Sequence, residues 1–135
     1  AGNKGAGMML LYFWQLPQSV IGLFFTVVIR CEKRDGLYIF DSDYIASFSL
    51  GEFIFINRKN ENNGNIIAHE KGHSRQSLYL GWLYLIVIGL PSLFGNIMLR
   101  FKQRKWPVMK CRMWYYSLPW ESWADRLGGV KRHYL

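Results

Sequence analysis

Two stretches without a charged side chain set the terms for this chain. Met8 to Ile29 covers 22 residues and Leu78 to Met98 covers 21; as helix, either is long enough to cross about 30 Å of hydrocarbon. Both read as membrane segments. Half of the 135 residues are hydrophobic and only 19% are charged, against about 25% in soluble domains. Disorder is excluded by the same composition, because 17% of the residues are aromatic and disordered chains are poor in such side chains.

The first segment reads as a retained anchor over residues 8–29. A secretory signal peptide would carry a basic stretch ahead of its apolar run and a small-residue cleavage site after it, whereas this run ends in Ile29-Arg30. Residues 1–7, AGNKGAG, look like the remnant of an expression tag and are set outside the fold, leaving residues 8–135 as a single membrane-embedded domain. The second segment, 78–98, contains Gly81, Gly89, Pro91 and Gly95, and Gly89-Leu90-Pro91-Ser92 should break or kink a helix near its middle.

The charges bear on that break. The net charge is +8, with Arg30, Lys33 and Arg34 after the first segment and Arg100, Lys102, Arg104 and Lys105 after the second. The positive-inside rule wants both clusters in the cytosol, and two full crossings in series would export one of them. The sequence therefore favours a re-entrant second segment that folds back near Pro91. Cations that bracket apolar runs, without a helix-turn-helix, zinc-finger or RNP pattern, argue for a lipid bilayer as partner and against nucleic acid. Cys31 and Cys111 are too few for a disulfide framework and, on the cytosolic side, are expected to be reduced.

Between the segments, residues 37–57 turn β-rich, with strands expected at Leu37–Phe40 and Phe53–Ile56 as a hairpin or strand pair. NENNGN over Asn60–Asn65 has turn character, and Asn65 is placed to cap a helix over residues 65–77. Residues 106–130 mix Lys110 and Arg112 with Trp106, Trp114, Tyr115, Tyr116, Trp120 and Trp123, a composition that suits the headgroup layer. The fold class expected is an α+β membrane protein, mainly helical.

The chemistry lies in Ala68-His69-Glu70-Lys71-Gly72-His73. Histidines four apart share a helix face, so His69 and His73 are placed to bind one Zn²⁺, with Glu70 between them as general base toward a water. A catalytic zinc needs a third protein ligand and an open position. Glu32, Glu52, Glu61 and His133 are available, but Glu121 stands out in Trp120-Glu121-Ser122-Trp123-Ala124-Asp125. Glu121 and Asp125 are four apart on one helix face, so one is placed to ligate while the other orients a histidine.

His69, Glu70, His73, Glu121 and Asp125 together resemble the gluzincin metallopeptidases, which pair HExxH with a later ExxxD helix. The string HEKGHSRQS, with Leu80-Gly81, Gly89-Leu90-Pro91-Ser92 and the run from Glu121 to Gly129, is also similar to a group of small bacterial membrane proteins. The resemblance implies a zinc metallopeptidase in a bacterial cytoplasmic membrane, its site near the cytoplasmic face. His69, His73 and Glu121 would be the metal ligands, Asp125 the partner of a histidine, and a peptide or membrane protein the substrate. Tyr115, Tyr116, Arg132, His133 and Tyr134 are candidates for the oxyanion donor, and the sequence does not choose among them. The competing expectation is a non-enzymatic interaction protein or small transporter subunit with a structural or vestigial histidine pair.

Overall fold

The computed structural model describes residues 3–133. The chain opens with two helices, α1 (Asn3–Trp14) and α2 (Leu16–Val28). Helix α1 already includes residues 3–7, which the sequence had set outside the fold. The single anchor helix expected over 8–29 is replaced by two arms bent by 91° at Gln15. Pro17 opens α2, where its fixed φ and missing N–H fit a first turn, and Gln15 leaves helical geometry to point its amide into the molecule. With 12 and 13 residues, each arm is only about 18–20 Å long, short of a bilayer core.

Four short strands come next: β1 (Cys31–Arg34), β2 (Leu37–Phe40), β3 (Phe48–Leu50) and β4 (Phe53–Asn57), in the sheet order β1-β2-β4-β3. The two strands expected from sequence are β2 and β4, which lie side by side but parallel, so they are not the arms of one hairpin. Each instead pairs antiparallel with a neighbour. Asp35 and Gly36, at φ 51° and 78°, make the β1–β2 turn, both left-handed as a type I′ turn requires. Gly51, at φ 63°, makes the turn between β3 and β4.

Alternation along the strands divides the sheet into two faces. Phe48 and Phe55 stack at 4.6 Å between centroids, and Phe25 of α2 packs edge-on to both. Ile39, Ile54 and Ile56 point the other way, toward Ile67 of helix α3 (Gly64–Leu80). The cap of α3 is Asn63, two residues before the expected Asn65, and its side chain accepts from the amides of Asn65 and Ile66. Helix α3 ends at Gly81, whose φ of 55° and ψ of −125° reverse the chain.

The second apolar segment therefore breaks at Gly81 rather than at Gly89–Pro91. After a 3₁₀ turn, a π-helical turn over Leu85–Gly89 leads without interruption into α4 (Leu90–Lys102), and Pro91 sits in the first turn of α4, where it is tolerated. The chain does not fold back at Pro91. Helix α5 (Val108–Ser117) returns along α4, with Lys102 Nζ 4.0 Å from the centre of the Trp106 ring and Asn96 bonded to Tyr115. Helix α6 (Pro119–Gly128) leaves the periphery altogether and lies against α3 at the centre of the molecule, with Ala124 fully buried. The result is a stack of α2, sheet, α3 and α6, flanked by α4 and α5. By length and composition the helix Leu85–Lys102 could cross a membrane, and α1 with α2 would make a second span only if both arms count as one.

Candidate metal centre

The crossing of α3 and α6 is set by small residues. A Cβ on Gly72 would stand 1.9 Å from the Ala124 carbonyl oxygen, and one on Gly128 would stand 2.0 Å from that of Ala68. Each helix thus offers a small residue, three more residues and another small residue: Ala68 and Gly72 face Gly128 and Ala124, so the helices run antiparallel in near-backbone contact. The functional side chains are the next residues along. His69 and His73 come directly after Ala68 and Gly72, while Asp125 comes directly after Ala124 and Glu121 lies one turn before it.

This contact brings His69, His73 and Glu121 together with all three ligand atoms inside 4.8 Å. His69 Nδ1 lies 2.6 Å from Asp125 Oδ1, and His73 Nδ1 lies 2.7 Å from Gln76 Oε1. The Gln76 amide is oriented by its own Nε2, which donates to the Trp120 carbonyl at 2.8 Å. Both outer partners are acceptors, so each ring donates its Nδ1–H outward, and only in its neutral form does it turn an Nε2 lone pair inward. Those Nε2 atoms stand 3.0 and 3.1 Å from the same oxygen, Glu121 Oε2. With both rings neutral, three acceptors would face one another, a conflict that either a proton on an imidazole or a metal cation resolves. Around a tetrahedral ion with bonds of about 2.0–2.1 Å, neighbouring ligand atoms lie about 3.3 Å apart, close to the 3.0 and 3.1 Å that separate the two Nε2 atoms from Glu121 Oε2. His69, His73 and Glu121 can together hold a metal ion.

The electrostatics favour positive charge there. Burial opposes a charged His69, yet its hydrogen bonds to Asp125 and Glu121 raise its pKa to about 9. Burial likewise opposes ionisation of Glu121, but the two histidines hold its carboxyl well below the usual carboxylate range. Asp125 is also held low against its burial, by His69 and by Arg132. A Schellman turn at Gly129 (φ 72°), with Val130 N–H donating to the Asp125 carbonyl, brings the tail back so that Arg132 grips both Asp125 oxygens at 2.8 and 2.9 Å.

Glu70 is buried at the same place, and its Oε2 lies 2.7 Å from the hydroxyl of Ser49 on β3. Among the candidates for an oxyanion donor, the Tyr116 ring packs edge-on to His69 at 5.2 Å, and the Tyr115 hydroxyl interacts with Glu121. Arg132 faces Asp125 and the Tyr116 ring. His133 is exposed, and Tyr134 lies outside the described residues. The side chains that sequence reasoning passed over are Gln76, Ser49 and Ser92, whose hydroxyl donates to Glu121 Oε1 at 2.6 Å. Gln76 had a local signal, its place three residues after His73 on the same helix face; Ser49 and Ser92 had none. Compared with known proteins, the chain matches no family model, no curated protein and no solved structure.

Proposed function

We propose that the chain is an integral membrane metallopeptidase that uses Zn²⁺ to hydrolyse a peptide or membrane-protein substrate near the cytoplasmic surface of the membrane. The observation that carries this reading is the pair of Nε2 atoms directed at one carboxylate oxygen, their rings held from outside by Asp125 and Gln76. Two imidazoles and a carboxylate suit zinc and leave a fourth position open, the donor set of a catalytic rather than a structural site. When bound, Zn²⁺ supplies Lewis acidity toward water and a peptide carbonyl.

The chain's own residues supply the rest. Glu70 is the general base: it ligates nothing in this scheme, and Ser49 orients its carboxylate. Burial raises the pKa of the Tyr115 and Tyr116 hydroxyls, keeping both protonated as donors for a developing oxyanion. Exposed apolar side chains along the flanking helices, such as Phe13, Phe24, Val27, Leu90 and Phe94, support the lipid bilayer as the partner.

The test is Glu70→Gln, assayed on a quenched fluorescent peptide library in detergent after zinc loading. The variant should keep its zinc and lose at least about a hundredfold in activity; cleavage at the wild-type rate would remove the peptidase mechanism. A second reading draws on how closed the site is, with Glu121 fully buried and His69 only 4% exposed. In it, the metal is structural and the chain is a membrane interaction protein. Zinc binding without any Glu70-dependent cleavage across the library favours that reading.

A further inference from the structure

The apolar helix after α3 reads from sequence as a membrane segment alone, yet it reaches both functional carboxylates, Glu121 directly and Glu70 through Ser49. Tyr84 donates its hydroxyl to the backbone carbonyl of Ser49, whose side chain holds Glu70. Eight residues on, Ser92 donates to Glu121 Oε1. One turn further, Asn96 holds the hydroxyl of Tyr115, which itself interacts with Glu121. Resting on the proposed metal site, we propose that Ser92 is a positioning residue that holds Glu121 as a one-oxygen metal ligand.

The geometry gives the reason. Glu121 has two oxygens: Oε2 faces both histidines, and Oε1 is engaged by Ser92 at 2.6 Å. A carboxylate free to turn could present both oxygens to an ion and fill the position that a catalytic site keeps open. Ser92 restrains that rotation. Its placement depends on the π-helical turn over Leu85–Gly89. In an unbroken α-helix at about 100° per residue, Ser92 would stand about 80° round from Tyr84. A π turn absorbs one extra residue and rotates the rest of the helix back by about 100°, which aligns the two to within about 20°. Tyr84 and Ile88, 3% and 2% exposed, mark the same inward line. Exposed Leu90, Leu93 and Phe94 occupy the outer side of the helix.

The experiment measures zinc affinity by chelator competition, and the visible spectrum of the Co²⁺-substituted chain, for wild type, Ser92→Ala and Ser92→Thr. Ser92→Ala should lose about 10–100-fold in zinc affinity, and its Co²⁺ absorption should weaken as the coordination number rises. Ser92→Thr, which keeps the hydroxyl, should restore both. Packing alone would not predict rescue by a hydroxyl or a change in the Co²⁺ spectrum. If Ser92→Ala does not fold, Ser92→Val, the shape of Ser92→Thr without its hydroxyl, carries the same expectation. Wild-type affinity and an unchanged spectrum in the folded variant overturn this role for Ser92. Failure of the wild-type chain to bind either ion overturns the metal site itself.

Discussion

Gln76 shows how much a single side chain decides at this site. Its Oε1 takes the Nδ1 proton of His73, and its Nε2 is held by the Trp120 carbonyl of α6. One amide thereby fixes the tautomer of a ligand and ties the ligand helix to the helix that brings Glu121. Replacing it with leucine keeps the volume but leaves the His73 ring without a partner, so Gln76→Leu should lower zinc affinity about 10–100-fold in a folded chain. Chelator competition on the purified variant checks this, and an unchanged affinity would mean that His73 needs no outer partner. Legibility at this scale depends on sequence distance. The HExxH pair could be read because four residues of helix place both rings on one face. The partners of Ser49 and Ser92 lie 21 and 29 residues away, and no local pattern in an isolated serine announces such a contact.

Between elements, the site rests on the antiparallel contact of α3 and α6. Gly72 and Gly128 stand where any side chain would strike a backbone oxygen of the other helix, and backbone in a packed crossing has little room to move. Gly72→Ala or Gly128→Ala should push the helices apart, destabilise the fold by about 3 kcal/mol or more, and disperse the ligands, so that thermal stability and zinc retention fall together. Gly64→Ala, at a helix start where nothing lies within 4 Å of the added methyl, should change stability by less than about 1 kcal/mol. Equal stability of the Gly72 and Gly64 variants in a melting experiment would refute the close crossing. Strand β1 illustrates what the sequence hid among the elements. Cys31-Glu32-Lys33-Arg34 has no apolar alternation because it forms the outer edge of the sheet with its side chains largely exposed, and only the Asp35-Gly36 pair signalled its hairpin. The bend at Gln15 was hidden for another reason. Its cause is a buried amide that receives the Ser77 hydroxyl at 2.6 Å from 62 residues away, while the local composition reads as one continuous apolar helix.

At the scale of the whole molecule, apolar character and chemistry occupy the same body. Helices α1, α2 and α4 show apolar side chains outward, while polar groups beside and within them reach inward: Gln15 and Gln18 to Ser77, and Ser92 to Glu121. The N-terminal pair is further clasped by reciprocal indole bonds, Trp14 to the Leu78 carbonyl and Trp82 to that of Phe13. A chain held to lipid by those outer faces should stay in the membrane fraction through a wash at about 1 M salt, which screens charge but not apolar burial, and should come out only with detergent. Release by salt alone would make it a surface-bound protein. The two apolar segments were legible because composition alone reveals them; their path was not, because a bend and a π turn are imposed by contacts across the fold. If this body is assembled around a metal ion, zinc content shows it most directly. The detergent-purified chain, loaded with Zn²⁺ and desalted, should retain about one zinc per chain, and His69→Ala/His73→Ala with unchanged helix content should retain almost none. A wild-type chain that is folded and keeps no zinc contradicts the account.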